Sequence, residues 1–171
     1  MLYYLRQRKN APEPEPPAPT PEPTISPYDA ALARLRTLES TDLASADEIK
    51  PYFVELSDAL RTYLEDGLGI PALERTTREL MHEFDHQQVR HKMPGGAPQR
   101  VHGILELADL VKFAEFKPPS TQSEMILGET RKTVDVIEAK LRQIARDKER
   151  LSPSLPAEPG APTESIAEEM S

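Results

Sequence analysis

Apolar residues recur at three- and four-residue spacing along five stretches of the chain, and each stretch predicts an amphipathic helix. The first opens at Ser26-Pro27-Tyr28-Asp29, where a capping serine precedes a proline suited to the first helical position. Ala31, Leu32, Leu35 and Leu38 form its stripe. The second covers about 47–65, with Tyr52, Phe53, Leu56, Leu60, Tyr63 and Leu64 in register and Gly67 as terminator. Pro51 falls early in it, which predicts either a place in the first turn or a kink. An apolar connector at 68–73 leads to the capping box Thr76-Thr77-Arg78-Glu79 and a short third helix with Leu80, Met81 and Phe84 inward.

Residues 87–99 are polar and contain Pro94-Gly95-Gly96, which predicts a flexible loop. The fourth helix, about 99–116, is apolar over more than one face and is expected to be the central element. The fifth starts at Ser120-Thr121-Gln122-Ser123-Glu124 and carries Leu127, Val134, Ile137, Leu141 and Ile144 to about residue 150. Its last two turns are charged and are expected to project into solvent. No stretch alternates as a strand, so the pattern predicts an all-α compact bundle of about five helices over residues 28–150.

Composition sets the edges of that bundle. Most of the 18 prolines lie in residues 11–27 and in the C-terminal tail. The alternating Pro and Glu of 11–27 predict an extended linker. A polyproline II spacer over residues 11–23 would span roughly 40 Å. Residues 151–171 read as a disordered acidic tail. Residues 1–10 begin Met1-Leu2-Tyr3-Tyr4-Leu5 and continue with Arg6, Arg8 and Lys9. That order suits the cytoplasmic end of a membrane helix, with tyrosines at headgroup level and cations inside. The apolar run is itself too short to span a bilayer, so the segment is expected to be the remnant of an anchor. A net charge of −8 argues against a nucleic-acid partner. The absence of cysteine excludes disulfides and thiolate metal sites.

One segment resembles catalytic machinery. His82-Glu83-Phe84-Asp85-His86 matches His-Glu-x-x-His, in which two histidines on one helical face hold zinc and the glutamate activates water. Glu106 follows 20 residues after the second histidine as a candidate third ligand, with His91 and His102 as further candidates. Against this stand the charged Asp85 inside the motif, the shortness of the helix, the polar stretch after it and the lack of strands for a substrate-binding sheet. The reading is therefore a non-catalytic domain without cofactor or small-molecule substrate, with a zinc hydrolase based on His82, His86, Glu106 and Glu83 as the alternative.

Three stretches, 52–65, 69–80 and 105–118, occur in an order and spacing that resemble the cytoplasmic domain of certain bacterial membrane proteins. Those proteins are encoded beside MoxR-type AAA+ ATPases and von Willebrand A-domain proteins, in clusters called Bat or aerotolerance operons. The resemblance covers about residues 28–145. It implies a preceding transmembrane helix, a place at the cytoplasmic face of the inner membrane, and an adaptor or assembly role toward the ATPase or A-domain protein. The segment Lys112-Phe113-Ala114-Glu115-Phe116-Lys117 is the candidate docking surface, since aromatics beside lysines at a helix end can form an anchor patch. The plainer expectation is that Phe113 and Phe116 are core residues closing the bundle.

Overall fold

The computed structural model describes residues 25–43 and 46–151. They form α1 (Pro27–Glu39), α2 (Ala46–Leu68), α3 (Thr77–Asp85), α4 (Gln87–Arg90), α5 (Ala97–Phe113) and α6 (Ser120–Leu151), with no strand among the described residues. The chain thus forms the all-α bundle that its periodicity predicts. None of these helices is long and apolar enough to cross a membrane. The basic segment at 1–10, most of the Pro/Glu linker and the tail after 151 lie outside the described residues.

Local chemistry places the helix starts. The Ser26 hydroxyl accepts from the Asp29 amide at 3.1 Å, with Pro27 as the first residue of α1. Thr76 and Glu79 form a reciprocal capping box at α3, each satisfying the other's backbone N–H. The Thr76 amide and hydroxyl both donate to Glu79, which holds its carboxyl below the usual range.

Helix α2 is the axis of the bundle and packs on α1, α5 and α6. Its Phe53, Leu56, Leu60, Tyr63 and Leu64 are essentially without exposure. This corrects the expectation that the fourth predicted helix, here α5, is central. Helix α5 buries Val101, Ile104, Leu105, Ala108 and Val111 on one face but exposes Leu110 and Phe113, so its surplus of apolar residues lies on the surface.

Side-chain pairings fix the helix directions. The Tyr52 hydroxyl donates to the Ser123 carbonyl and the Tyr63 hydroxyl to that of Val134, so α6 runs parallel to α2. Asp109 meets Thr77 beside Arg61, whereas Phe116 and Lys117 line a groove with Ile49 and Pro51, so α5 runs antiparallel to α2. Tyr28 bonds Asp135 while Glu39 pairs with Arg131, so α1 is antiparallel to α6. One end of the bundle therefore gathers the chain entry at residues 25–28, the end of α2 and the latter part of α6. The other gathers the start of α2, the exit of α5 and the start of α6.

Several boundaries depart from the sequence expectation. Helix α2 continues through Gly67 to Leu68, and Gly69 supplies the left-handed terminator at φ 73. Pro51 lies inside α2 on an exposed position, where its missing N–H leaves the ladder one donor short. The expected loop at 87–99 contains the single turn α4, because buried Val89 and Met93 pin it to the core, and α5 already begins at Ala97. Helix α5 ends at Phe113 instead of 116, because Glu115 adopts φ 54 and Pro118-Pro119 cannot continue a helix.

Candidate partner-binding surface

The last turn of α5 and the turn after it carry an unusual side-chain distribution. Phe113 is 79% exposed and Phe116 is 42% exposed, which overturns the reading of both as core residues. Leu110, one turn before Phe113, is 46% exposed and extends the apolar surface. The cause is the backbone. The left-handed Glu115 reverses the chain, and the Phe116 amide donates back to the Leu110 carbonyl at 3.3 Å. Phe113 is thus left on the outer face of α5, while Phe116 is carried round toward α2.

The four residues singled out from sequence do not form one patch. Phe113 lines a groove between the first turn of α3 and α5, with Thr77, His102, Glu106 and Leu110, enclosing about 480 Å³. Phe116 and Lys117 line a second groove against the start of α2, with Ile49, Pro51 and Val54, enclosing about 660 Å³. Lys112 stands apart from the second groove. Its ammonium lies 5.7 Å from the Phe113 ring centroid and donates to the Ser57 hydroxyl at 3.3 Å. Phe113 therefore has a positioned cation beside it, with Glu106 and Asp109 further back along the same helix.

Beneath the first groove lies a polar network that the sequence reading missed. Arg61 is only 8% exposed. Its guanidinium donates to the carbonyls of Ala72 and Arg75 at 2.8 and 2.7 Å and to the Thr77 hydroxyl at 2.9 Å. The Thr77 hydroxyl in turn donates to Asp109 at 2.6 Å. One cation thus ties α2, the connector at 69–76, the start of α3 and α5 together. Burial lowers the Arg61 pKa, opposed by the nearby charges of Asp109 and Asp58. A signal was present: Ser57, Arg61, Leu64 and Leu68 share one spacing on α2, and a cation on such a stripe must find acceptors.

The histidine segment does not assemble into a metal centre. Helix α3 ends at Asp85, and His86 has extended backbone at φ −63 and ψ 134. The two histidines therefore do not share the helical face that the zinc motif requires. Glu83 instead pairs with Arg75 at 3.5 Å and lies 3.8 Å from His86. Glu106 lies on α5, 3.7 Å from His102. The His91 ring contacts the Gln87 carbonyl at 3.1 Å. Among the described residues no group of three or more His, Asp or Glu is placed to hold a metal ion.

Comparisons with protein families, with curated proteins and with solved structures return no significant match to this chain.

Proposed function

We propose that this chain is a membrane-tethered adaptor that acts by binding other proteins and carries out no chemistry of its own. Its N-terminal segment, residues 1–10, holds it at the cytoplasmic face of a bacterial inner membrane. The Pro/Glu-rich linker before Ser26 spaces it from the bilayer, and the helical domain presents a docking surface to a MoxR-type ATPase or a von Willebrand A-domain protein. The observation that carries the docking role is Phe113, a large aromatic 79% exposed on the rigid end of a core helix. Isolated exposed apolar residues are ordinary, but Leu110, Phe113 and Phe116 fall within two turns and border two grooves. Aromatic side chains on a rigid support lose little entropy on binding and often dominate an interface.

The bundle's polarity supports the tethered arrangement. The chain enters at residues 25–28, beside Asp135 and Arg142 of α6. Phe116 lies by the start of α2, at the other end of a 23-residue helix, and Phe113 lies nearer the middle, where its neighbour Lys112 reaches Ser57. At 1.5 Å per residue, α2 is about 35 Å long, so the Phe116 groove lies at the end away from the tether and Phe113 about halfway along.

The direct test mixes the purified full chain with the ATPase and the A-domain protein encoded beside it and measures affinity by calorimetry. The expected result is a complex with at least one of them that Phe113→Ser weakens by about tenfold or more. Absence of a complex with either protein overturns the reading.

A further inference from the structure

Helix α6 outruns the bundle. It has 32 residues against 23 in α2, and its contact with the end of α2 comes at Leu141, which lies beside Gly67. Residues 142–151 extend past that point, and all but Ile144 are exposed. This tip holds four basic and two acidic residues, in a chain whose net charge is −8. Arg142, Arg146 and Arg150 are four apart and make one row on the helix. Ile144 and Leu151, seven apart, lie on another face, and Leu151 is 82% exposed. Cations at a helix C-terminus also offset the macrodipole. That effect does not explain a bare leucine or an arginine row two turns long.

The tip leaves the bundle where the chain enters it. Arg142 stacks over the Tyr28 ring at 5.0 Å, and Ile25, 70% exposed, lies three residues before that tyrosine. We infer that residues 142–151 of α6 are a second membrane contact, an amphipathic basic tip that lies on an anionic phospholipid surface. Arg142 is held by Glu138 at 2.8 Å and by Tyr28, so Arg146 and Arg150 meet the headgroup phosphates, and Leu151 enters the headgroup boundary. The inference rests on the tethered reading for the nearness of a bilayer, but the chemistry of the tip stands without it. Two contacts, one at residues 1–10 and one at the tip, would hold the bundle upright with the Phe116 groove outward.

The test is co-sedimentation of the full chain with vesicles of phosphatidylglycerol and phosphatidylethanolamine, and with vesicles of phosphatidylcholine alone. Arg146→Gln with Arg150→Gln should reduce affinity for the anionic vesicles by about tenfold and leave binding to the neutral ones unchanged. Helical circular dichroism should be retained, because both side chains are exposed. A separate variant, Arg6→Gln with Arg8→Gln and Lys9→Gln, reports on the N-terminal flank alone. Loss of binding in that variant with none in the tip variant overturns the tip contact and keeps the tether. Loss in the tip variant with none in the flank variant keeps the tip and overturns the tether. A parent chain that sediments as a dimer and is dispersed by Leu151→Ser overturns the lipid assignment in favour of a second copy.

Discussion

The two flanks of α2 are held by different physics. On one flank, Tyr52 and Tyr63 pack against α6, with Ile137 and Val134 buried completely. The two phenol hydroxyls there find backbone carbonyls, and that of Tyr63 also donates to the Glu138 carboxylate. On the other flank, Arg61 ties the connector, α3 and α5 through directional bonds to carbonyls and to Thr77. An apolar seam tolerates small shifts, because dispersion and burial depend weakly on orientation. A guanidinium fork does not, because its donors lie in a fixed plane. The first flank supplies stability. The second sets the relative position of α3 and α5, whose gap is the groove beside Phe113.

That division can be broken by experiment, beginning with the seam. Ile137→Ala should cost about 3 kcal/mol, since the residue has no exposure and its site cannot fully collapse. Urea unfolding measures this, and a cost below about 1 kcal/mol would deny the seam its role. Arg61→Met, which keeps bulk and removes the donors, should cost somewhat less, about 2–3 kcal/mol, because three acceptors lose their partner. The sharper contrast is in binding: Arg61→Met should also weaken partner affinity, whereas Ile137→Ala should not.

Smaller effects follow at the margins of each flank. Thr76→Ala should cost about 1 kcal/mol by removing the α3 cap. The Glu79 carboxyl is held below its usual range by Thr76, so its contribution is present above the ordinary carboxylate pKa. It is lost as the pH falls through the lowered value, and the Thr76→Ala effect should shrink on acidification. Tyr63→Phe should cost less than about 1 kcal/mol at neutral pH. Burial raises the Tyr63 pKa, and that of Tyr52 to about 12. Both phenols therefore stabilise the fold below pH 10.0, their unfolded value, and that stability drains away as the pH rises above it. The Phe variant should unfold less steeply on alkaline titration. Phe113→Ser should change the melting temperature least of all, because the ring is 79% exposed. A large loss there would return Phe113 to the core.

The helices were legible because their determinants are local. Ser26-Pro27 and the Thr76–Glu79 box announce α1 and α3, and three- and four-residue spacing marks the buried stripes of α1, α2 and α6. The candidate surface was legible only in part. The sequence drew attention to Lys112, Phe113, Phe116 and Lys117, but a single segment cannot say that Glu115 turns left-handed and sends the two rings to different grooves.

Periodicity alone established an all-α chain and most of its inward faces, since each helix needs one apolar side whatever it packs against. Which helix is central, whether Phe113 is core or surface, and whether His82 and His86 meet were decided by tertiary packing. Those properties depend on residues far apart in the chain. Arg61 finds acceptors 11 to 16 positions away, and the end of α3 at Asp85 separates two histidines that a longer helix would have aligned.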